Sequence, residues 1–540
     1  MMDPASGPAA ELNRLMSEAA ARYNSGDASA AEQYCRKALA LHADFPQALH
    51  LFGLCQWQRG ELAGAAGAII RALQLAPQDA QMFHDLGNVF SGMGEWADAA
   101  RAYLHAIELR PDYADSYTNL GAVYENFGEH ENAERAYRRA LELNSHSATA
   151  AGSLASLAER ANRLDEAEQL VTAALNLDPH DNVSNLTRAQ LDFRAARYEA
   201  VVQRLEPLLE QPMRPRNRSL ALAQLGAAYE MTGKYDEAFA AFRDSKESMG
   251  SGQVMAQQPD IYSLAAVERM AGHLPDIFAA RPEQRAIEGD SPVFLVGFPR
   301  SGTTLLDQML SSHPGLIVLE EKENLRDVLQ DFATNDAGLD RFAGLTSEEL
   351  QRYRQQYWVR VAEAMPERPA NRQFIDKLPL NTIYMPLIAR LFPQARFAFA
   401  VRDPRDVVLS CFMRAFGLNE AMRNFLSLEG TARYYAAVMN VGLASMQQLG
   451  KSVHLIRYET LIEDVEGEAR RLCGLFGLPW DDAMLRFQET ARNRRINTPS
   501  YHQVVQPIYK SARERWRNYE QYLQPVLPML QPFLDRFGYR

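Results

Sequence analysis

Small residues recur at intervals of 34 along the first half of the chain, and this period restricts the fold more than any other feature. Gly26, Gly60, Gly94 and Gly128 are 34 apart, and the next two steps land on Asn162 and Ala196. A second register runs through Ala19, Gly53, Gly87, Gly121, Ala155 and Ala189, and a third through Ala31, Ala65, Ala99, Ala133 and Ala167. A fourth runs through Pro77, Pro111, Ser145 and Pro179. Stacked helix-turn-helix units account for all four. The small residue of the first helix admits close approach of the second, whose alanine fills the matching contact. Gly or Asn at the turn supplies the left-handed backbone that ends the first helix. Proline suits the start of the next unit, where a missing N–H costs nothing.

Leu86-Gly87 with Ala99 and Pro111, and Leu120-Gly121 with Tyr124 and Ala133, resemble the tetratricopeptide repeat. The resemblance covers about residues 11–246, after a flexible N-terminus over 1–10. The period slips after about 205, where Gln211-Pro212-Met213-Arg214-Pro215 interrupts it, and resumes with Leu225-Gly226, Gly233 and Ala238, giving an α-solenoid of about seven helix pairs. The family resemblance implies a concave groove that binds a peptide or protein. An array that only stabilises or dimerises the rest of the chain is the other reading, and a homodimer stays open. Residues 247–289 read as a linker, with Ser248-Met249-Gly250-Ser251-Gly252, one short helical pattern from Tyr262 to Ala271, and a polar run to Gly289-Asp290. A second domain is expected over 290–540.

The chain has 540 residues, 47% of them hydrophobic and 23% charged, which is globular and long enough for several cores. A net charge of −11 argues against a general nucleic-acid binder. The four cysteines form no C-x-x-C pair, so neither a disulfide framework nor a zinc site is expected, and no metal requirement arises. Met1-Met2-Asp3-Pro4 opens no basic-then-apolar leader, and no segment approaches the length of a membrane span; a cytoplasmic location is the expectation.

From Val293 the chain reads Val-Phe-Leu-Val-Gly, a buried parallel strand, then Phe298-Pro299-Arg300-Ser301-Gly302-Thr303-Thr304, then a helical pattern that stops at His313-Pro314. Strand, Gly-containing loop and helix N-terminus together make an anion cradle. The spacing Gly297…Gly302 matches a P-loop, but Thr303 stands where a nucleotide triphosphatase would place lysine, and the cation is at Arg300.

Pro299 to Thr304 resembles the 5′-phosphosulfate loop of sulfotransferases that use 3′-phosphoadenosine 5′-phosphosulfate (PAPS). Arg402 after the strand 396–401, with Ser410 eight residues on, resembles the pair that grips the 3′-phosphate in that family. Arg457-Tyr458-Glu459 resembles its strand-end segment, where the tyrosine lies near the nucleotide. The basic stretch with Gln506-Pro507, Lys510, Arg513 and Arg515-Trp516 resembles its closing C-terminal segment. The best whole-domain match is to the tyrosylprotein sulfotransferases. The resemblance implies a parallel-sheet, P-loop-like α/β fold, PAPS as co-substrate, and a nucleotide held by Pro299, Arg300, Ser301, Gly302, Thr303, Thr304, Arg402, Ser410, Tyr458, Ser500 and Arg515.

Parallel sheets bind ligands at the carboxyl ends of their strands. Apolar runs at 293–297, 316–319, 372–375, 396–401 and 452–456 are followed by Arg300, Glu320-Glu321, Asp376-Lys377, Arg402 and Arg457-Tyr458. By its position relative to the loop, Glu321 resembles the family's catalytic base, with Glu320 as the alternative; Lys377 and Arg300 would stabilise the leaving phosphate and the sulfuryl oxygens. A structural role is expected for His313. Glu323 replaces an arginine that helps the animal enzymes hold acidic substrates. Three readings stay open: sulfation of a protein or peptide tyrosine, or of a sugar, lipid or metabolite hydroxyl; a nucleotide kinase; and a tetratricopeptide scaffold with an inert second domain.

Overall fold

The computed structural model describes residues 8–250, 260–280, 291–369, 371–416, 419–488 and 513–540. The chain forms two compact units, with the boundary falling between Met213 and Arg214.

Among the described residues, the first unit is an α-solenoid of six helix pairs, from Pro8–Asn24 with Ala28–Leu41 to Asn182–Arg194 with Tyr198–Leu209. Each turn within a pair has one residue in the left-handed region: Gly26, Gly60, Gly94, Gly128, Asn162 and Ala196, with φ from 57° to 85°. The repeat imposes this conformation even on Ala196, at about 1 kcal/mol. The prolines of the fourth register sit three residues ahead of the helices Ala80–Met93, Ala114–Asn126 and Asn182–Arg194, in the turn between pairs rather than at a first helical position. Asp79 and Asp181 take over the N-caps there, accepting backbone N–H groups of their helices.

The second register meets a matching large residue 16 positions on. A Cβ on Gly53 would lie 2.7 Å from Ile69, on Gly87 2.5 Å from Tyr103, and on Gly121 2.6 Å from Tyr137. Where the register holds Ala155, its counterpart is the smaller Val171 in the same apolar cluster. Glycine therefore stands where a larger side chain, Ile69, Tyr103 or Tyr137, comes too close for a Cβ, which is close packing felt at the level of a single methyl.

The second unit is built on five parallel strands, β1 (Val293–Gly297), β2 (Leu316–Glu320), β3 (Gln373–Lys377), β4 (Arg396–Val401) and β5 (Val453–Arg457), in the order β2-β3-β1-β4-β5. Alternate residues of β1 enter different cores. Phe294 and Val296 join one with Phe397, Phe399 and Tyr357, while Val293 and Leu295 join another with Ala398, Ala400 and Ile375. Both faces are covered, as a parallel sheet requires. The strand order reverses direction at β1, so the crevice beyond its carboxyl end, between β3 and β4, is where ligands bind in such sheets.

Three expected boundaries change. The first helix starts at Pro8, inside the stretch 1–10 expected to be flexible. The seventh helix pair, Pro215–Met231 with Tyr235–Gly250, belongs to the second unit: Ala238 and Phe242 are buried in its larger core. The stretch 247–289 is not simply a linker either. It contains the helix Leu264–Ala279, whose Val267, Met270 and Ile277 are buried in that core, and the Tyr434 hydroxyl donates to the Tyr262 carbonyl (2.7 Å). An apolar helix face finds its partner in tertiary structure, which polar flanks in the sequence do not disclose. Among the described residues no helix is long and apolar enough to cross a membrane.

Candidate active site at the carboxyl ends of the strands

β1 leads into the loop Phe298–Gly302, and the helix Thr303–Ser311 comes next. Gly302 caps that helix with φ 93°, and a Cβ there would lie 2.6 Å from Cδ2 of Tyr458, so the tyrosine ring packs directly on the loop. Ser301, Thr303 and Thr304 are buried. Thr382, after β3, fixes the end of β1: its hydroxyl donates to the Gly297 carbonyl (2.8 Å) and accepts the Gly297 N–H (2.9 Å). The first N–H groups of a helix lack intrahelical partners, and the loop presents this helix end as an anion-binding position.

Arg300 Nε donates to Ser410 Oγ (3.0 Å), joining the loop after β1 to the helix Pro404–Met413 after β4. Arg402 lies at the end of β4, its guanidinium 5.1 Å from the centre of the Tyr458 ring and 3.4 Å from Asp406 Oδ2. Burial, with Arg414, Arg402 and Arg515 nearby, pulls the Arg300 guanidinium down to about 10. Like charges gathered in this way favour a polyanionic ligand. Burial also pushes the Tyr458 hydroxyl up.

On the other side of β1, Lys377 ends β3 with its side chain fully buried. Its Nζ donates to Glu321 Oε1 (2.6 Å) and to Glu320 Oε1 (3.3 Å). The Glu321 N–H donates in turn to the Lys377 carbonyl (2.8 Å). Glu321 is exposed, whereas Glu320 is half-buried, and burial pushes its carboxyl up against the pull of Lys377. Asp376, next to Lys377, points to the other face of the sheet. Its Oδ2 accepts from Asn324 Nδ2 (2.9 Å) and the Tyr357 hydroxyl (2.8 Å), so it does not neutralise Lys377.

Among the described residues of the second unit, the non-glycine residues with positive φ are Arg300 (72°), Glu321 (49°) and Glu514 (59°). Strain of about 1 kcal/mol or more at each is held in place by its surroundings, and such strain concentrates at functional sites.

Arg300, Arg402, Ser410 and Tyr458 are therefore brought together, and Glu321, Glu320 and Lys377 form a second cluster one strand away from β1. Arg515 stands near Arg300 but is paired: both its Nε and Nη2 donate to the Glu230 carboxylate. Ser500, with Gln506, Pro507 and Lys510, lies outside the described residues. His313 is structural, since Nδ1 accepts the Gly315 N–H (3.0 Å) and Nε2 bonds the Pro479 carbonyl (2.9 Å). Three contributors escaped sequence reasoning. Asp406 accepts the N–H groups of Glu514 (3.0 Å) and Trp516 (2.9 Å) beside Arg402. Lys246 Nζ donates to the Arg414 carbonyl (2.6 Å), and Thr382 fixes Gly297. Asp406 alone carried a signal, four residues after Arg402 on a helix. No group of three or more histidines, cysteines and carboxylates able to hold a metal occurs among the described residues.

The family model described as "Sulfotransferase family" matches residues 292–482. Tetratricopeptide repeat models match 78–145, and 16–80 with 123–182. An uncharacterized protein of Aquifex aeolicus is 30% identical over 352 residues, 61% of this chain and 44% of that protein. The protein-tyrosine sulfotransferase of Drosophila melanogaster is 28% identical over 236 residues, 42% of this chain and 46% of that protein. Protein-tyrosine sulfotransferase 1 of Danio rerio is 27% identical over 299 residues, 52% of this chain and 80% of that protein. The matched stretch is thus less than half the length of the Aquifex and Drosophila proteins. Tetratricopeptide repeats in the N-terminal half are followed in this chain by a domain of the sulfotransferase family, with protein-tyrosine sulfotransferases among its relatives.

Proposed function

We propose that the second unit transfers a sulfuryl group from PAPS to an acceptor hydroxyl, with protein or peptide tyrosine as the leading acceptor and the repeats recruiting the substrate or a partner protein. The observation that carries this reading is the hydrogen bond from Arg300 to Ser410. It joins the loop after β1 to the helix Pro404–Met413, which carries Ser410 and follows Arg402, in one site, as a ligand phosphorylated on both the 5′ and 3′ sides of one ribose requires. The converging arginines and the Tyr458 ring fit such a group.

In this reading Pro299 to Thr304 hold the 5′ end, Arg402 and Ser410 the 3′-phosphate, and Tyr458 the nucleoside; Arg515 adds a further cation. Bound PAPS supplies an activated sulfuryl group with a phosphate leaving group. The acceptor hydroxyl must lose a proton, which Glu321 takes. Glu321 is assigned this role over Glu320 because its carboxylate is open to an incoming acceptor, while Lys377 orients it from a buried position. Lys377 and Arg300 stabilise the charge that develops on the transferred and departing oxygens. Relatives named protein-tyrosine sulfotransferases favour a tyrosine acceptor. A groove that holds a protein substrate would raise its effective concentration at the catalytic unit.

Calorimetry on the full chain tests the nucleotide reading. Adenosine 3′,5′-bisphosphate is expected to bind at least tenfold tighter than ADP, with the preference abolished in Arg402→Ala. Tighter binding of ADP, or of ATP with magnesium, would favour a nucleotide kinase instead.

A further inference from the structure

The seventh helix pair carries the packing signature of a repeat, since a Cβ on Gly226 would lie 3.0 Å from the Phe242 ring. Its other contacts are unlike those of a repeat. Phe239 stacks on Tyr522 with ring centres 3.8 Å apart and planes 7° from parallel, and lies 5.5 Å from Phe412 of the helix that carries Ser410. Asp236 accepts from the Tyr522 hydroxyl (2.7 Å) and from Gln521 Nε2 (2.7 Å). Lys246, buried, donates to the carbonyl of Arg414 just after that same helix. Glu230 takes two donors of Arg515.

The electrostatics give Glu230 a specific task. Arg300, Arg402 and Arg515 are neighbours whose charges repel before any ligand arrives. Asp406 partners Arg402 and, through the N–H groups of Glu514 and Trp516, anchors the backbone on either side of Arg515. That anchor leaves the Arg515 guanidinium to be fixed by its own contacts, which among the described residues are the fork to Glu230 and an N–H directed at Met413 Sδ (3.2 Å). A bidentate carboxylate sets both position and plane of a guanidinium. We propose that the helix Pro215–Met231 contributes to the nucleotide site through Glu230, a positioning residue that holds Arg515 within the cation cluster. The catalytic unit then begins near Arg214, well before the stretch matched by the sulfotransferase family. This inference rests on the nucleotide reading above.

The test is binding of adenosine 3′,5′-bisphosphate to the full chain and to four variants, together with thermal stability. Glu230→Gln is expected to weaken binding about tenfold or more, the scale of a lost charge-assisted hydrogen bond. Arg515→Ala is expected to weaken it similarly, and Glu230→Gln with Arg515→Ala no further than Arg515→Ala alone. Asp236→Asn, in the same helix interface but away from Arg515, is expected to lower stability without changing affinity. Affinity unchanged or raised in Glu230→Gln overturns the inference, as do additive losses in the double variant, or an Asp236→Asn loss equal to that of Glu230→Gln. Should Glu230→Gln not fold, loss of affinity in Arg515→Ala with affinity kept in Asp236→Asn supports the inference, and unchanged affinity in Arg515→Ala overturns it. If the unmodified chain does not bind the bisphosphate, the nucleotide reading itself has failed, a distinct result.

Discussion

Asp376 is a fully buried carboxylate whose charge is not paired with a cation, and its replacement by asparagine gives a stability effect whose size can be worked out in advance. Burial pushes its carboxyl up to about 6, against the hydrogen bonds from Asn324 and Tyr357, from an ordinary value of 3.8. The folded state therefore holds this proton more tightly than the unfolded state. The associated stability is fully present below about pH 3.8 and is lost as pH rises through about 6. At 1.36 kcal/mol per unit, the whole span is worth about 3 kcal/mol, of which about 2 kcal/mol falls between pH 4.5 and 8. In Asp376→Asn the new side chain would keep an oxygen for the two donors, but its amide N–H groups would occupy the place of Oδ1, which has no hydrogen-bond partner, at a cost of about 1–3 kcal/mol that does not vary with pH. The informative quantity is thus the change with pH of the stability difference between Asp376→Asn and the unmodified chain, because the constant offset cancels. Urea unfolding of the full chain at several pH values, followed by hydrogen exchange of peptides covering β1 and β3, reads this unit separately from the repeats. The variant should gain about 2 kcal/mol relative to the unmodified chain between pH 4.5 and 8. Parallel stability curves would mean instead that Asp376 titrates alike in the folded and unfolded states.

Gly302→Ala places a methyl 2.6 Å from Tyr458 at a φ of 93°, and is expected to weaken nucleotide binding about tenfold by displacing the ring, as calorimetry would show; unchanged affinity would remove Tyr458 from the site. In the solenoid, Gly87→Ala should cost about 1–3 kcal/mol by pressing on Tyr103, and combining it with Tyr103→Val, which recreates the Ala155–Val171 pairing, should recover about 1 kcal/mol or more relative to the sum of the single variants in urea unfolding. Additive losses would contradict the size-matching argument.

Much of the architecture was legible because it is local and periodic. The 34-residue registers report the faces that neighbouring helices share, and the glycines of the first two registers are indeed left-handed turns or close contacts. The strands were legible as apolar runs because both faces of a parallel sheet are buried, and their ends in Arg300, Glu320-Glu321, Lys377, Arg402 and Tyr458 were legible because the chain changes from apolar to ionisable there. The features that stayed hidden depend on partners far away in the chain. The seventh helix pair reads as another repeat because Gly226 and Phe242 pack as in the others, while the residues that bind it to the rest of the second unit, Asp236 and Phe239, look like ordinary surface positions until Tyr522 is placed against them. The helix Leu264–Ala279 has an apolar face that local pattern shows only in part, and its flanks read as linker. Arg515 could be named from its segment, but its pairing with Glu230, 285 residues earlier, obeys no spacing rule.

In the proposed function Arg300, Arg402 and Ser410 present a sulfate donor to an acceptor deprotonated by Glu321. The most direct measurement is transfer of radiolabelled sulfate from PAPS to a panel of tyrosine peptides and small hydroxyl acceptors, with the full chain, Glu321→Gln and Glu320→Gln run side by side. The unmodified chain should transfer sulfate, Glu321→Gln should lose about 10²- to 10⁴-fold with adenosine 3′,5′-bisphosphate binding retained, and Glu320→Gln should lose less. Full activity in Glu321→Gln, or phosphoryl transfer from ATP in place of sulfuryl transfer from PAPS, would contradict it.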